Sequence, residues 1–227
     1  MATRRSAVLL LITVVLTAAG RVVGQVHLRG LQGLPDGTSL SAFEYEGLVR
    51  LLKGNDTTRL TSLYRTSVHG TTYDDLLDRV GDAKPLVFVV RNGEYVFGAV
   101  ISEGIRLPDS STGYVMYPCK VWWFSLAGHF EKPIKINLYG QEQIVYAAGR
   151  EGHIDGANVR IGGRMWLGWS GLGPGRPADD IRSCRQYTTG RNVPSGYTGE
   201  REEDEDALLG GSKDFMAEEI EVLHWVQ

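Results

Sequence analysis

Residues 86–102 of the chain read LVFVVRNGEYVFGAVIS, the strongest β pattern in the sequence. Leu86 to Arg91 is almost entirely apolar, which is typical of a central strand that is buried on both faces. The dipeptide Asn92-Gly93 favours a two-residue turn with positive φ at Gly93 or at both residues. Glu94 to Ser102 resumes the β-forming pattern, so the stretch predicts an antiparallel hairpin.

Further runs of β-branched and aromatic residues, separated by Gly, Pro and Asp, predict more strands after this hairpin. They lie at Lys120 to Leu126, Ile134 to Leu138, Gln143 to Ala148, Asn158 to Ile161, Arg164 to Trp169 and Glu219 to Trp225. The alternation in the last run predicts that Ile220 and Val222 point into the core, although this run closes the chain. Several short strands with few helices favour a mainly β fold (α+β) built as a sandwich.

Two short helices are predicted ahead of the hairpin. The first begins at Ser41, because Ser41 and Glu44 have the spacing of a capping box, and Gly54 ends it. Its apolar face consists of Phe43, Leu48, Leu51 and Leu52. The second has Thr71 as its N-cap, Asp74 in its first turn and Gly81 at its end. Its apolar residues recur at helical spacing and are Tyr73, Leu76, Leu77 and Val80.

The composition argues against nucleic-acid binding. Among 227 residues, 24 Lys and Arg stand against 27 Asp and Glu, which gives a net charge of −3. A nucleic-acid surface requires a basic footprint, so we expect no nucleic-acid partner. The 42% hydrophobic and 22% charged content is that of a soluble globular protein, and 29 Gly residues suit a β protein with many turns.

The N-terminus has the layout of a signal peptide. Met1 to Arg5 carries two positive charges, residues 6–20 are apolar and uncharged, and small residues follow at Ala18, Ala19, Gly20 and Gly24. We therefore expect a signal peptide at residues 1–24, cleaved between residues 20 and 25. A lead-in segment at 25–37 and one domain at 38–227 would follow.

This layout places the domain outside the cytosol, either secreted or in the lumen of the secretory pathway. The alternative is a signal anchor that is not cleaved, although the apolar run is shorter than the ~20 residues that span a bilayer. Such an anchor would keep Arg4 and Arg5 in the cytosol and still export the rest of the chain. Contact with a membrane is expected only if the N-terminal segment is retained in this way.

Several stretches, in order and at matching spacing, resemble the TLDc domain family over residues 38–226. Residues 60–77 (LTSLYRTSVHGTTYDDLL) look like the opening of such a domain. Residues 86–102 are similar to the family's apolar strand, tight turn and VFG strand, and residues 120–126 (KVWWFSL) to its next characteristic strand. The end of the chain, residues 208–225 (LLGGSKDFMAEEIEVLHW), resembles the family's closing pattern.

The resemblance implies a sandwich of two antiparallel sheets flanked by short helices, which agrees with the strands read from the pattern. It also implies a link to oxidative-stress resistance and to binding of the vacuolar proton-pumping ATPase from the cytosol. An exported domain does not meet that face of the pump, so the signal peptide separates this chain from the family's usual setting.

No catalytic constellation stands out, and we expect no catalytic, metal or cofactor site. Ser67, His69 and Glu103 could form a triad only if folding brought them together, and no serine lies in a GxSxG motif. The five histidines are dispersed and form no HxxxH or HxH pair: His27, His69, His129, His153 and His224. Zinc binding is therefore not expected.

Three other stretches have a structural and a functional interpretation. The acidic run from Glu200 to Asp206 favours a solvated, mobile loop, since its spacing lacks the alternating ligands of a calcium loop. Gly171 to Gly175 (GLGPG) mimics a phosphate loop but lacks the Lys-Ser/Thr that should follow. Four tryptophans, Trp122, Trp123, Trp166 and Trp169, could line a sugar-stacking surface. Because Trp122 and Trp123 are adjacent in a strand, they must point to opposite faces.

Two covalent modifications remain open. Cys119 and Cys184 could pair in an oxidising compartment or stay as separate buried thiols. Asn55-Asp56-Thr57 is the only N-x-[ST] sequon in the chain, so Asn55 is a candidate for glycosylation if it is exposed.

We therefore expect a non-enzymatic TLDc-like interaction domain that acts outside the cytosol on an unknown protein partner, with no cofactor. Two alternatives stay open: a secreted enzyme with an unrecognised active site, and a carbohydrate-binding adhesion domain.

Overall fold

A computed structural model describes residues 34–53, 58–171, 175–202 and 204–226. Its helices are α1 (Ala42–Leu51), α2 (Thr66–His69) and α3 (Tyr73–Val80). Its strands are β1 (Arg59–Arg65), β2 (Leu86–Asn92), β3 (Tyr95–Ile101), β4 (Tyr114–Pro118), β5 (Val121–Ala127), β6 (Ile134–Asn137), β7 (Ile144–Ala148), β8 (Val159–Ile161), β9 (Met165–Leu167), β10 (Ser183–Gln186), β11 (Asp214–Met216) and β12 (Glu219–Val226).

The strands form two antiparallel sheets of six strands each, as predicted. Sheet A has the order β1-β12-β2-β3-β5-β6, and sheet B has the order β11-β10-β9-β8-β7-β4. The C-terminal strand β12 lies between β1 and β2, so the end of the chain is an interior strand of sheet A. The predicted mainly β sandwich is thus confirmed.

The main core lies between the two sheets. Sheet A contributes Phe88 and Phe97, together with Ile220 and Val222 of β12, all with no exposed surface. The prediction that Ile220 and Val222 point inward is confirmed. Sheet B contributes apolar side chains that include Val145, Val159, Ile161, Met165 and Leu167. Burial of these side chains is the main term that stabilises the sandwich.

A second apolar layer lies on the outer face of sheet A, where α1 covers it. Tyr45 and Leu48 of α1 pack against Val87, Phe124 and Leu223 of the sheet. The strands of sheet A are therefore buried on both faces, which explains why β2 is apolar at consecutive positions.

The hairpin at β2–β3 is present, but its turn is shifted by one residue. Asn92 pairs with Tyr95, so the two turn residues are Gly93 and Glu94. Gly93 has φ +59°, as predicted, and glycine at the first turn position is the pattern of a type II′ turn. Asn92 instead ends β2, and its side-chain amide donates to the carbonyl oxygen of Gly210 at 2.8 Å.

The capping box of α1 is confirmed, with Ser41 and Glu44 bonded reciprocally. Phe43, however, is 64% exposed and does not belong to the buried face of this helix. The N-cap of α3 is Thr72 and not Thr71, because Thr72 forms a capping box with Asp75. The apolar residues predicted for α3 are all buried, and Gly81 ends the helix at φ +51°.

Several predictions for the N-terminal part of the chain concern residues outside the described ranges. They are the signal peptide at 1–24, most of the lead-in at 25–37, the stop at Gly54 and the sequon at Asn55. Within the described ranges, no helix has the length and apolarity that crossing a membrane requires.

Candidate functional site

The structure does not assemble Ser67, His69 and Glu103 into a triad. Ser67 Oγ donates to the carboxylate of Glu219, and His69 Nδ1 accepts from the backbone N–H of Arg65 at 2.9 Å. Glu103 follows the far end of β3 and pairs with Arg106 at 2.8 Å. Strand register places that end of β3 level with His224 of β12. His224 lies five residues from Glu219, so Glu103 and the Ser67–Glu219 pair are separated by roughly 17 Å along the strands.

The acidic side chain beside Ser67 serves the fold. Glu219 accepts from Thr66 Oγ1 at 2.6 Å, from the backbone N–H of Ser67 at 3.0 Å and from Arg65 Nη2 at 2.9 Å. Burial raises the pKa of Glu219, but the hydrogen bonds from Ser67 and Thr66 outweigh burial and leave it below its usual value. A carboxylate held ionised by this many donors anchors α2 to the start of β12.

Glu221, two residues along the same strand, is fully buried and ties the start of the domain to its end. Its carboxylate accepts from Ser39 Oγ at 2.6 Å, from the backbone N–H of Ser39 at 2.9 Å and from Thr38 Oγ1 at 3.1 Å. Ser62 Oγ of β1 donates to its other oxygen at 2.6 Å. These donors satisfy a buried charge, which would otherwise be costly.

Glu44 completes this group of buried acids, because Arg91 of β2 bonds to it with both terminal nitrogens, at 2.9 and 3.2 Å. The sequence predicted only the capping role of Glu44, and it predicted Ile220 and Val222, not the glutamates of β12, as inward-pointing residues. All three carboxylates are committed to structural partners.

The described histidines do not converge on one another. His69 contacts Tyr64, His153 is exposed, and His224 Nε2 lies 3.1 Å from the carbonyl oxygen of Lys84. His129 is stacked on Tyr95, with 4.4 Å between ring centroids, and burial lowers its pKa. No group of three or more His, Cys, Asp or Glu in the described ranges is arranged to hold a metal ion. His27 lies outside those ranges.

The two cysteines are free and buried in the structure, and the sheet keeps them apart. Cys184 lies on β10, whereas Cys119 directly follows β4, and β9, β8 and β7 separate these strands. At the usual strand spacing that is on the order of 15 Å or more, whereas a disulfide needs Cα atoms within about 7 Å. Burial raises the pKa of the Cys184 thiol.

The four tryptophans do not share one surface. Trp123 is 1% exposed in the core between the sheets, while Trp122 is half-buried on the outer face of sheet A, so their predicted opposition is confirmed. Trp166 and Trp169 belong to a separate cluster on the outer face of sheet B. A platform of four exposed rings, as a sugar-stacking surface would require, is therefore not formed.

Most described residues of the acidic run are exposed, as expected for a solvated loop: Glu200, Arg201, Asp204 and Glu205. Asp206 is buried, and backbone bonds between Glu202 and Asp206 and between Glu202 and Glu205 close a tight turn. Lys213 forms an ion pair with Glu202. Of the GLGPG stretch, residues 172–174 lie outside the described ranges.

The outer face of sheet B bears a row of aromatic and cationic side chains that the sequence analysis did not find. Cross-strand pairing places Tyr146, Arg160, Trp166, Arg185 and Asp214 in line across five adjacent strands. The Arg160 guanidinium lies 4.7 Å from the Tyr146 ring, and the Arg185 guanidinium lies 5.0 Å from the ring of Trp169. We call this row, with its neighbours Arg164, Trp169, Tyr187 and Lys213, the aromatic–arginine face.

The cations of this face form its outer layer. Trp166 and Trp169 are each only 8% exposed, since arginine side chains lie over their rings. Arg164 stacks on Tyr187 at 4.8 Å and has no carboxylate within ion-pair distance in the described part of the chain. Among the described residues, Arg185 has the exposed Asp214 as its carboxylate neighbour, at 3.7 Å. Arg160, by contrast, is paired with Asp155 at 3.1 Å, so Arg164 and Arg185 are the guanidinium groups of this face that are most open to an incoming carboxylate.

Residues 38–225 match the family model of the TLDc domain. The match begins where Thr38 and Ser39 bind Glu221 and ends within β12, so it includes both sheets and all three helices. No curated protein matches the chain.

Proposed function

The chain belongs to the TLDc domain family, and we propose that this member is a non-enzymatic interaction module that binds a protein partner outside the cytosol. The aromatic–arginine face supports this proposal. The described helices pack chiefly against sheet A, so none of them covers this face of sheet B.

The chemistry of the face suits a protein partner. Trp, Tyr and Arg are the residue types that most often dominate the binding energy at protein interfaces. Stacking on rings holds the guanidinium planes in place, so less side-chain entropy is lost when a carboxylate binds them. We propose a partner that presents carboxylates to Arg164 and Arg185.

Export separates this partner from the one implied by the family. The link to the vacuolar proton pump and to oxidative-stress resistance concerns TLDc proteins that work in the cytosol. The basic and then apolar N-terminus of this chain supports an extracytoplasmic role, in which a different partner would occupy the domain.

Variants that reverse or remove a positive charge on the aromatic–arginine face test the binding proposal. Proteins captured by the exported domain are compared between the parent chain, Arg164→Glu and Arg185→Gln, with Lys132→Glu as the control. Lys132 is exposed and precedes β6, which belongs to the other sheet. We expect a specific captured protein to be depleted at least tenfold by the two arginine variants and to be retained by the control. If the arginine variants melt like the parent and capture the protein equally well, the aromatic–arginine face is not the binding surface.

Export has its own test, which is N-terminal sequencing of the protein recovered from the culture medium. We expect the mature chain to begin between residues 21 and 25. A glycosidase-sensitive mass that disappears in Asn55→Gln would report entry into the lumen independently of cleavage. Recovery of an intact Met1 or Ala2 in a cytosolic fraction would contradict export.

A further inference from the structure

A groove on the outer face of sheet A combines apolar walls with two lysine side chains. It has a volume of about 530 Å³ and is lined by Pro85, Val100, Trp122 and Trp225, with Lys120 and Lys135 among its polar residues. We call it the tryptophan–lysine groove. Cavities of a few hundred Å³ with mainly apolar walls and a few fixed polar groups are typical of small-molecule sites.

Lys135, one of the two lysines that line this groove, has no acidic partner among the described residues. Lys135 Nζ lies 4.3 Å from the centroid of the Trp122 ring. In the described part of the chain, neither Lys135 nor Lys120 has a carboxylate within ion-pair distance. Glu103, which follows the same end of β3 as Ser102 of the groove, is engaged with Arg106.

Two further features of the lining, one at Lys135 and one at Trp225, favour an added anion or hydrogen-bond acceptor. Burial lowers the pKa of Lys135, and the nearby charge of Lys53 lowers it further. The indole N–H of Trp225, another lining residue, is buried and has no acceptor among the described residues. The lining of the groove thus has an indole donor and positive charge for which the described residues supply no acceptor.

We propose that the tryptophan–lysine groove binds a small amphipathic anion, in which a carboxylate is joined to an apolar chain or ring. The carboxylate would reach Lys135 and Lys120, since charge-assisted hydrogen bonds to an ammonium are the strong contacts available there. The apolar part would lie against Pro85, Val100 and Trp225 and remove their surfaces from water. This site is on the opposite sheet from the aromatic–arginine face and does not depend on the function proposed for that face.

Octanoate is the probe that tests this site, with octylamine and octanol as probes of the same chain length and a different head group. Titration of the mature domain is followed by calorimetry and by the indole N–H signals of Trp122 and Trp225, assigned with Trp122→Phe and Trp225→Phe. We expect saturable binding of octanoate that shifts these two signals, and binding of octylamine and octanol that is at least tenfold weaker.

Variants separate a built site from nonspecific apolar binding. Lys135→Ala is expected to weaken octanoate binding at least tenfold, whereas Lys132→Ala, which removes an exposed lysine outside the groove, leaves it unchanged. Lys135→Arg retains the charge and should retain most of the affinity. Equal binding of all three probes, or octanoate binding unaffected by Lys135→Ala in a variant that melts like the parent, would overturn the proposal.

Discussion

Deletion of residues 219–227 is expected to abolish folding and soluble secretion of the domain. The deletion removes β12, which is hydrogen-bonded to β1 on one side and to β2 on the other. The two remaining strands would face each other across a gap with unpaired backbone groups, and exposed strand edges of this kind promote aggregation.

The lost apolar side chains alone remove stabilisation comparable to the whole stability of such a domain. Ile220, Val222 and Leu223 are fully buried, the first two between the sheets and the third beneath α1. Burial of each contributes roughly 1.5–3 kcal/mol, and the total stability of a domain is about 5–15 kcal/mol. Loss of Glu221 would also leave Thr38 and Ser39 without their acceptor.

A deletion at the other end of the chain is the matched control. Removal of residues 25–37 keeps Thr38 and Ser39, and therefore keeps the bonds to Glu221. We expect this variant to be secreted and to melt cooperatively near the parent temperature, as followed by circular dichroism. A C-terminally truncated chain that behaved in the same way would show that β12 is not needed for the sandwich.

The parts of the fold that local pattern determines were predictable from the sequence. Residues 86–102 combine a continuous apolar run, a glycine turn and a second β-forming run, and each feature demands the same hairpin. The helix α3 was equally marked, because its four apolar residues recur at helical spacing. Boundaries moved by a residue or two, as at Thr72 and at the turn of the hairpin.

Strands with weak local patterns were not predicted. β10 (SCRQ) lies in a stretch rich in Gly, Pro and charge, and only pairing with β9 and β11 makes it a strand. The aromatic–arginine face was missed for the same reason, since Arg185 on β10 joins it only through sheet register. The sequence did contain one indication of this face: in β7, Tyr146 alternates with Val145 and Ala147, which are buried, so Tyr146 points away from the core.

The structural acids were hidden by a different cause. Side chains alternate along β12, so Glu219 and Glu221 lie on the face opposite Ile220 and Val222, and their charge suggests that this face is exposed to solvent. The donors to that face come from parts of the chain far away in sequence: Glu221 accepts from residues 38–39 and Glu219 from residues 65–67. Nothing local in EIEVLHW indicates those donors.

Replacement of Gly98 by Ala is expected to cost about 3 kcal/mol, at the upper end of what overpacking a core usually costs. A Cβ atom at this position would lie 1.8 Å from the carbonyl oxygen of Phe88 and 2.7 Å from Cζ of Phe124. Phe88 belongs to the neighbouring strand β2, so its backbone cannot withdraw without breaking the pairing of β2 with β3. The phenyl ring of Phe124 fills the space where a side chain would otherwise lie.

Gly113→Ala is the matched control, because a Cβ there meets its nearest atom at an ordinary 3.5 Å, and its φ is not in the left-handed region. Thermal denaturation should show Gly98→Ala melting roughly 6–12 °C below the parent, since 1 kcal/mol corresponds to about 2–4 °C in a domain of this size. Gly113→Ala should melt within about 2 °C of the parent. Equal melting temperatures for the two variants would mean that β2 and β3 are not packed as closely as Gly98 permits, and the glycine of the VFG strand would lose its structural explanation.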